Sequence, residues 1–172
     1  MSKPLVVITG TEGQLGWSIQ QLISNYPQYE FLFTTVNVLD LGSVNSIADF
    51  FKKYTPTFFI NCAAYTAVDK AETEQAITLA INATAVGEIA KQCAAINATL
   101  ITISTDYVFD GANGPYDEDA NTHPISIYGK HKLEAEQAVL AASTTNLVLR
   151  ITNVYGDEER GKNFVARIVE QV

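Results

Sequence analysis

Tyr128 and Lys132 stand four residues apart in Tyr128-Gly129-Lys130-His131-Lys132, which on a helix puts both side chains on one face. An ammonium beside a phenol favours the phenolate, so such a pair can give or take a proton at the tyrosine oxygen. Taken alone, the pair fits a solvated helix face better than a site. It gains weight from Ser104-Thr105, which close a strand-like run. In parallel α/β sheets, ligands bind beyond the carboxyl ends of the strands. A hydroxyl there can hydrogen-bond a substrate carbonyl oxygen while Tyr128 protonates it.

A second constellation is Gly10-Thr11-Glu12-Gly13-Gln14-Leu15-Gly16, between the first strand-like run and the first helical pattern. One glycine permits the turn, one lets backbone approach a pyrophosphate and one lets the helix pack closely. The bland reading is a tight strand–helix turn, and the placement after the first strand favours a dinucleotide loop. About 20 residues on, an NAD-preferring site carries an acid for the ribose hydroxyls. Here the sequence reads Thr34-Thr35-Val36-Asn37, with neither that acid nor an arginine for a 2′-phosphate. The choice between NAD and NADP stays open, tilted towards NADP or dual use. Asn61-Cys62-Ala63-Ala64 ends a third strand-like run, where small residues suit either backbone against a dinucleotide or tight sheet packing. His123 and His131 read as surface residues rather than metal ligands, and Trp17 as packing. No metal site is expected.

These groups need a scaffold, and the apolar pattern supplies it. Leu5–Thr9, Phe31–Val36, Thr57–Cys62, Leu100–Ser104 and Leu147–Ile151 read as strands. Between them, Leu15, Ile19 and Leu22, then Val44, Ile47 and Phe51, recur at helical spacing, and Ile77, Ile81, Ala85, Ile89 and Cys93 form a longer stripe. Alternating strands and helices, with strands apolar on both faces, predict an α/β doubly wound parallel sheet. The irregular stretch from Asp106 to Pro124 is long enough to have a function of its own or to move.

At 172 residues, 47% apolar and 17% charged, the chain is sized for one globular domain with a real core. Net charge is −8 and the first arginine is Arg150, so no basic face for nucleic acid can be assembled. The apolar runs are far too short to span a bilayer, and no signal-peptide anatomy precedes the first strand. Cys62 and Cys93 lack metal-ligand spacing and read as free thiols of a cytoplasmic protein. In that setting the sequons at Asn82 and Asn97 carry no meaning. The pattern runs on to Val172 in helical register, as if the chain were cut there.

Four blocks together resemble the extended short-chain dehydrogenase/reductase family, and within it the dTDP-4-dehydrorhamnose reductases. They are Ile8-Thr9-Gly10-x-x-Gly13-Gln14-Leu15-Gly16, the run from Asn61 to Glu72, Ser104-Thr105-Asp106-Tyr107-Val108-Phe109-Asp110-Gly111, and Tyr128-Gly129-Lys130-x-Lys132-Leu133-x-x-Glu136. Asp106-Tyr107 after the threonine resembles the reductases rather than the dehydratases, which carry Asp-Glu there. The resemblance implies a Rossmann-like NAD(P)-binding domain over residues 1–172, with most of a substrate lobe lying beyond it. It implies Thr105, Tyr128 and Lys132 as the catalytic triad. Gly10, Gly13, Gln14, Leu15, Gly16, Asp40, Leu41, Ala63, Ala64 and Tyr65, with Tyr128 and Lys132, are implied as cofactor contacts. Thr105, Asp106 and Asn153 are implied to meet a nucleotide-linked 4-keto-sugar, reduced by NADPH or NADH. Where these reductases often have a tryptophan of the sugar pocket, this chain has Asn153, so the sugar stays open. A homodimer is implied because related enzymes are often dimers. The same blocks also resemble the regulatory β subunits of methionine adenosyltransferases, an NADP-binding, non-catalytic alternative, and a sugar-nucleotide epimerase or dehydratase is a further one.

Overall fold

The computed structural model describes residues 2–156 together with Val165 and Ile168. Five strands, β1 (Leu5–Thr9), β2 (Glu30–Phe33), β3 (Phe58–Asn61), β4 (Thr99–Thr105) and β5 (Leu147–Ile151), form one sheet in the order β2-β1-β3-β4-β5. Every neighbouring pair is parallel. The order reverses at β1, because β2 lies on one side of it and β3 on the other. That reversal opens a crevice at the carboxyl ends of β1 and β3, where ligands of such sheets bind. The α/β doubly wound parallel fold expected from the pattern is the fold observed.

The helices are α1 (Gln14–Leu22), α2 (Val44–Lys53), α3 (Val68–Ala71), α4 (Gln75–Leu79), α5 (Ala85–Ala95) and α6 (Ile127–Ala142). Side chains alternate across a strand, so each strand serves both faces of the sheet. Val7, Phe59 and Leu100 point to one face and pack with Ile47, Phe50 and Phe51 of α2, Val86, Ile89 and Cys93 of α5, and Ala135 and Val139 of α6. Val6, Phe58, Ile60 and Ile101 point to the other, beside Ile19 and Leu22 of α1.

The structure departs from the sequence expectation in three places. β2 stops at Phe33 rather than Val36. Thr34 still donates its amide to Ile8 at 2.9 Å, but Val38 then closes a turn on Thr35 at 3.0 Å, and Val36 is exposed. The long helical stripe rolls at its start, where Ala80–Thr84 adopt the wider i→i+5 winding and join α4 to α5. Thr78 and Asn82 take the buried side there, and Ile77 faces out. Finally, β4 extends one residue beyond Ser104, so Thr105 is itself the end of the strand. The helical pattern expected towards Val172 lies, apart from Val165 and Ile168, outside the described residues.

Candidate active site

The loop between β1 and α1 is shaped by two glycines with different tasks. Gly10 has φ +67°, and a Cβ there would lie 2.6 Å from the backbone of Cys62 and Ala63. At Gly16 a Cβ would run into the backbone of Gly10 and Thr11, so α1 meets the turn without a side chain between them. Gly13 donates its amide to the Gly10 carbonyl at 2.9 Å and stands at the N-cap without a capping side chain. The first turn of α1 thus starts beside the crevice without a side-chain cap, and amides at a helix start suit an anion.

Beside this turn lies a cavity of about 260 Å³ lined by Gly10, Gly13, Thr34, Asp40, Leu41, Ala63 and Ala64, among others. Of the expected cofactor residues, Gln14, Leu15, Gly16, Tyr65, Tyr128 and Lys132 are not in its wall. With its amide oriented to satisfy both ends, Gln14 donates to the Val154 carbonyl at 2.9 Å and accepts from the Gly156 amide at 3.0 Å. It thereby ties the segment after β5 to the glycine turn. Tyr65 lies half-buried, with its backbone held by Asn82: the Tyr65 amide donates to Asn82 Oδ1 at 2.8 Å, and Asn82 Nδ2 donates to the Tyr65 carbonyl at 2.9 Å. Asn82 is 1% exposed. In the sequence Asn82 stands out only as a sequon without meaning. A polar residue in an otherwise apolar helical stripe was the available signal.

Thr105, Tyr128 and Lys132 come together at the end of β4. α6 runs across that end with Tyr128, Lys132 and Glu136 turned inward, and Tyr128 and Lys132 are 9% and 3% exposed. These are interior groups and not a solvated face. Thr105 accepts the Tyr107 amide at 3.2 Å and donates to Asp106 at 3.1 Å. Lys132 donates to the Ile103 carbonyl at 2.5 Å. One turn on, Glu136 accepts from the Ser104 hydroxyl and from Arg150, whose closest nitrogen lies at 2.7 Å. That one buried carboxylate joins β4, α6 and β5.

Burial raises the Tyr128 phenol above its ordinary value; the hydrogen bond with Thr105 acts against this, and the Asp106 and Tyr107 charges add to it. Burial draws the Lys132 ammonium down to about 8, against the attraction of Glu136. The expectation that Lys132 lowers the tyrosine is thus not met in this arrangement, where the ammonium is turned to Ile103. Desolvation is the largest cause of both shifts. Burial also pushes both thiols, Cys62 and Cys93, up to about 12, which leaves neither a nucleophile at neutral pH.

A second cavity, of about 580 Å³, opens at the ends of β4 and β5, lined by Asp106, Tyr107, Phe109, Tyr116, Ile125 and Arg150 among others. The long loop after β4 forms its wall. Phe109 stacks on Tyr116 with centroids 4.3 Å apart, and the Arg150 guanidinium lies 5.2 Å over the Phe109 ring. Asp106 is in this wall, whereas Asn153 is exposed beyond β5 and not part of it. His123 is exposed as expected, but His131 is 8% exposed and its Nδ1 has no partner among the described residues. The surface reading of His131 is corrected: it shares the inward side of α6. Among the described residues no cluster of ligating side chains could hold a metal, and no helix is long and apolar enough to cross a membrane.

Comparison with known proteins agrees with this geometry. The chain is 37% identical over 161 residues to the dTDP-4-dehydrorhamnose reductase of Aggregatibacter actinomycetemcomitans, covering 93% of this chain and 54% of that protein. It is 38% identical over 164 residues to the methionine adenosyltransferase 2 subunit beta of Bos taurus, covering 90% of this chain and 48% of that one. The crystal structure of dTDP-4-dehydrorhamnose reductase from Bacillus anthracis, in complex with NADP, superposes with a TM-score of 0.91 at 35% identity, covering 99% of this chain and 60% of that one. The chain thus spans about half the length of the curated relatives it matches. The model of the RmlD substrate binding domain family matches residues 4–172, and the chain belongs to that family.

Proposed function

We propose that this chain is the dinucleotide-binding part, with the proton donor, of an NADPH- or NADH-dependent reductase acting on a nucleotide-linked 4-keto-sugar. The observation that carries the reading is the convergence of Thr105, Tyr128 and Lys132 at the end of β4, in a fold that also opens one cavity beside the glycine turn and another beside Asp106. The cradle left by Gly10 and Gly16 and the amide-rich start of α1 fit a dinucleotide pyrophosphate. Gly10, Gly13, Asp40, Leu41, Ala63 and Ala64 would hold the cofactor directly. Gln14, Leu15 and Gly16 would serve through the start of α1, and Tyr65 through the loop it belongs to. The reduced nicotinamide supplies the hydride when bound. Thr105 holds the substrate oxygen, and Tyr128, kept protonated by burial, gives it a proton as charge builds there. Lys132, one helical turn on from Tyr128 and held by the Ile103 carbonyl, keeps its positive charge up to about pH 8. Asp106 and the Phe109–Tyr116–Arg150 stack form the wall against which the sugar lies. Asn153, at the mouth, would meet the parts of the substrate outside that wall. The reading carries with it a cytoplasmic homodimer.

The relative that is a methionine adenosyltransferase subunit supports a second reading, a regulatory partner. The two separate in one experiment. A full-length version should oxidise NADPH on addition of a dTDP-linked 4-keto-sugar, and Tyr128→Phe should lower kcat by ~10²–10⁴-fold with the NADPH Kd unchanged. A fall of less than tenfold would remove Tyr128 as proton donor. Stoichiometric binding to a methionine adenosyltransferase with no turnover would favour the regulator.

A further inference from the structure

We propose that Glu72 is a positioning residue of this site: its carboxylate, docked on the first amide of α6, sets the height of Tyr128 against Thr105. This rests on the reductase reading above.

The first turn of a helix leaves amides without intrahelical acceptors. In α6 the Ser126 hydroxyl takes the Gly129 amide at 3.0 Å, an ordinary local cap. The Ile127 amide is out of reach of that cap. It donates to Glu72 Oε1 at 2.8 Å, from a residue 55 positions earlier in the chain. A carboxylate in that place also meets the positive end of the helix dipole. Tyr128 lies between these two capped amides.

Glu72 is not a loose surface acid. It follows α3, whose last residue, Ala71, is fully buried. On one side Tyr65 is clamped by Asn82 and its hydroxyl donates to Glu74. The stretch that presents Ala63 and Ala64 to the first cavity is therefore tied to the same segment that presents Glu72 to α6. The first turn of α6 has a second wall as well. A Cβ at Gly129 would overlap the Tyr107 carbonyl and crowd Pro124, so the helix start is pressed against the turn that follows Thr105. Tyr107 and Tyr128 also meet edge to face at 5.7 Å. Between these walls the turn has little freedom to rise or sink. With Glu72 gone, one wall has no polar hold on it.

The hydrogen bond is exposed, so losing it disturbs the site far more than the fold. In the full-length protein, Glu72→Ala should lower kcat about tenfold while KM for the keto-sugar and Kd for NADPH change less than about twofold. Glu72→Gln, which keeps a carbonyl oxygen for the Ile127 amide, should recover most of kcat. Hydrogen exchange at the Ile127 and Tyr128 amides should quicken in the alanine variant and return in the glutamine variant. An unchanged kcat in Glu72→Ala would overturn the proposal. So would a glutamine variant as slow as alanine, or parallel losses of kcat, cofactor affinity and melting temperature. A wild type that reduces no keto-sugar would overturn the reductase reading instead. The exchange rates would then still decide whether Glu72 holds the start of α6.

Discussion

Lys132 lies on the inward side of α6 with its ammonium against the Ile103 carbonyl. As half of an i, i+4 pair it reads as a cation that helps its tyrosine ionise. Folded, it is 3% exposed, and burial brings its ammonium down to about 8. The consequence for stability has a definite sign. Between pH 8 and about 10.5 the unfolded chain binds the proton that the folded chain has released, so stability rises with pH across that window. Below it, folding carries the full cost of the buried charge. Lys132→Met should therefore be more stable than wild type at pH 7, by about 3 kcal/mol at most. The gap should close as pH rises from 8 to 10.5, read from urea midpoints at several pH values. Tyr128, raised in both proteins, largely cancels from the difference. A gap independent of pH would mean that the ammonium is as well solvated in the fold as in the unfolded chain, and so is not drawn down. Residue types and spacing made Tyr128, Lys132 and Thr105 candidates, and the family resemblance implied them as a triad. The burial that sets their protonation was not legible there, because it depends on which side of α6 meets the sheet.

At the scale of the element, the glycine turn and α6 were legible to different degrees. β1 and the start of α1 show plainly in the pattern, since an apolar strand ending in Thr9 runs straight into spaced glycines. α6 carries no clean apolar stripe, because its inward face holds His131, Lys132 and Glu136. The site itself blurs the periodicity that would reveal it. The glycine turn yields a sharp comparison. Gly10→Ala puts a side chain at φ +67° and within 2.6 Å of the Cys62–Ala63 backbone, so it should cost about 2 kcal/mol or more and weaken NADPH binding. Gly111→Ala, at φ +77° but in open space, should cost only about 1 kcal/mol and leave NADPH affinity alone. Thermal melts and fluorescence titration of NADPH read both effects. Equal losses for the two would mean that the close approach of Gly10 to β3 does not matter.

For the whole molecule, the arrangement of the two cavities matters most. One lies at the switch between β1 and β3, the other at the ends of β4 and β5, and Thr105, Tyr128 and Lys132 line neither. The first is framed by a complete crossover on either side. The second is walled largely by one loop and by Arg150, and the relatives are about twice as long as this chain. The 172 residues alone should therefore bind NADPH as tightly as a version extended to the relatives' length. Their kcat/KM for a keto-sugar should be lower by several orders of magnitude, because orientation of a substrate is worth up to ~7–11 kcal/mol of barrier. Equal kcat/KM for the two would place all substrate contacts within this chain.

By itself the sequence determined the order and kind of the elements, because burial of a parallel sheet demands apolar runs and its helices demand a stripe. It also determined which residues could do chemistry, since a phenol, an ammonium and a threonine hydroxyl are properties of residue type. What the tertiary structure alone decided is how those groups are held and charged. Asn82 clamps Tyr65, Glu136 joins Ser104 to Arg150, and Glu72 meets Ile127 across 55 residues. Each of these links pairs groups far apart in the chain. No local periodicity encodes them, and they come into being only when the sheet order sets the strand ends side by side.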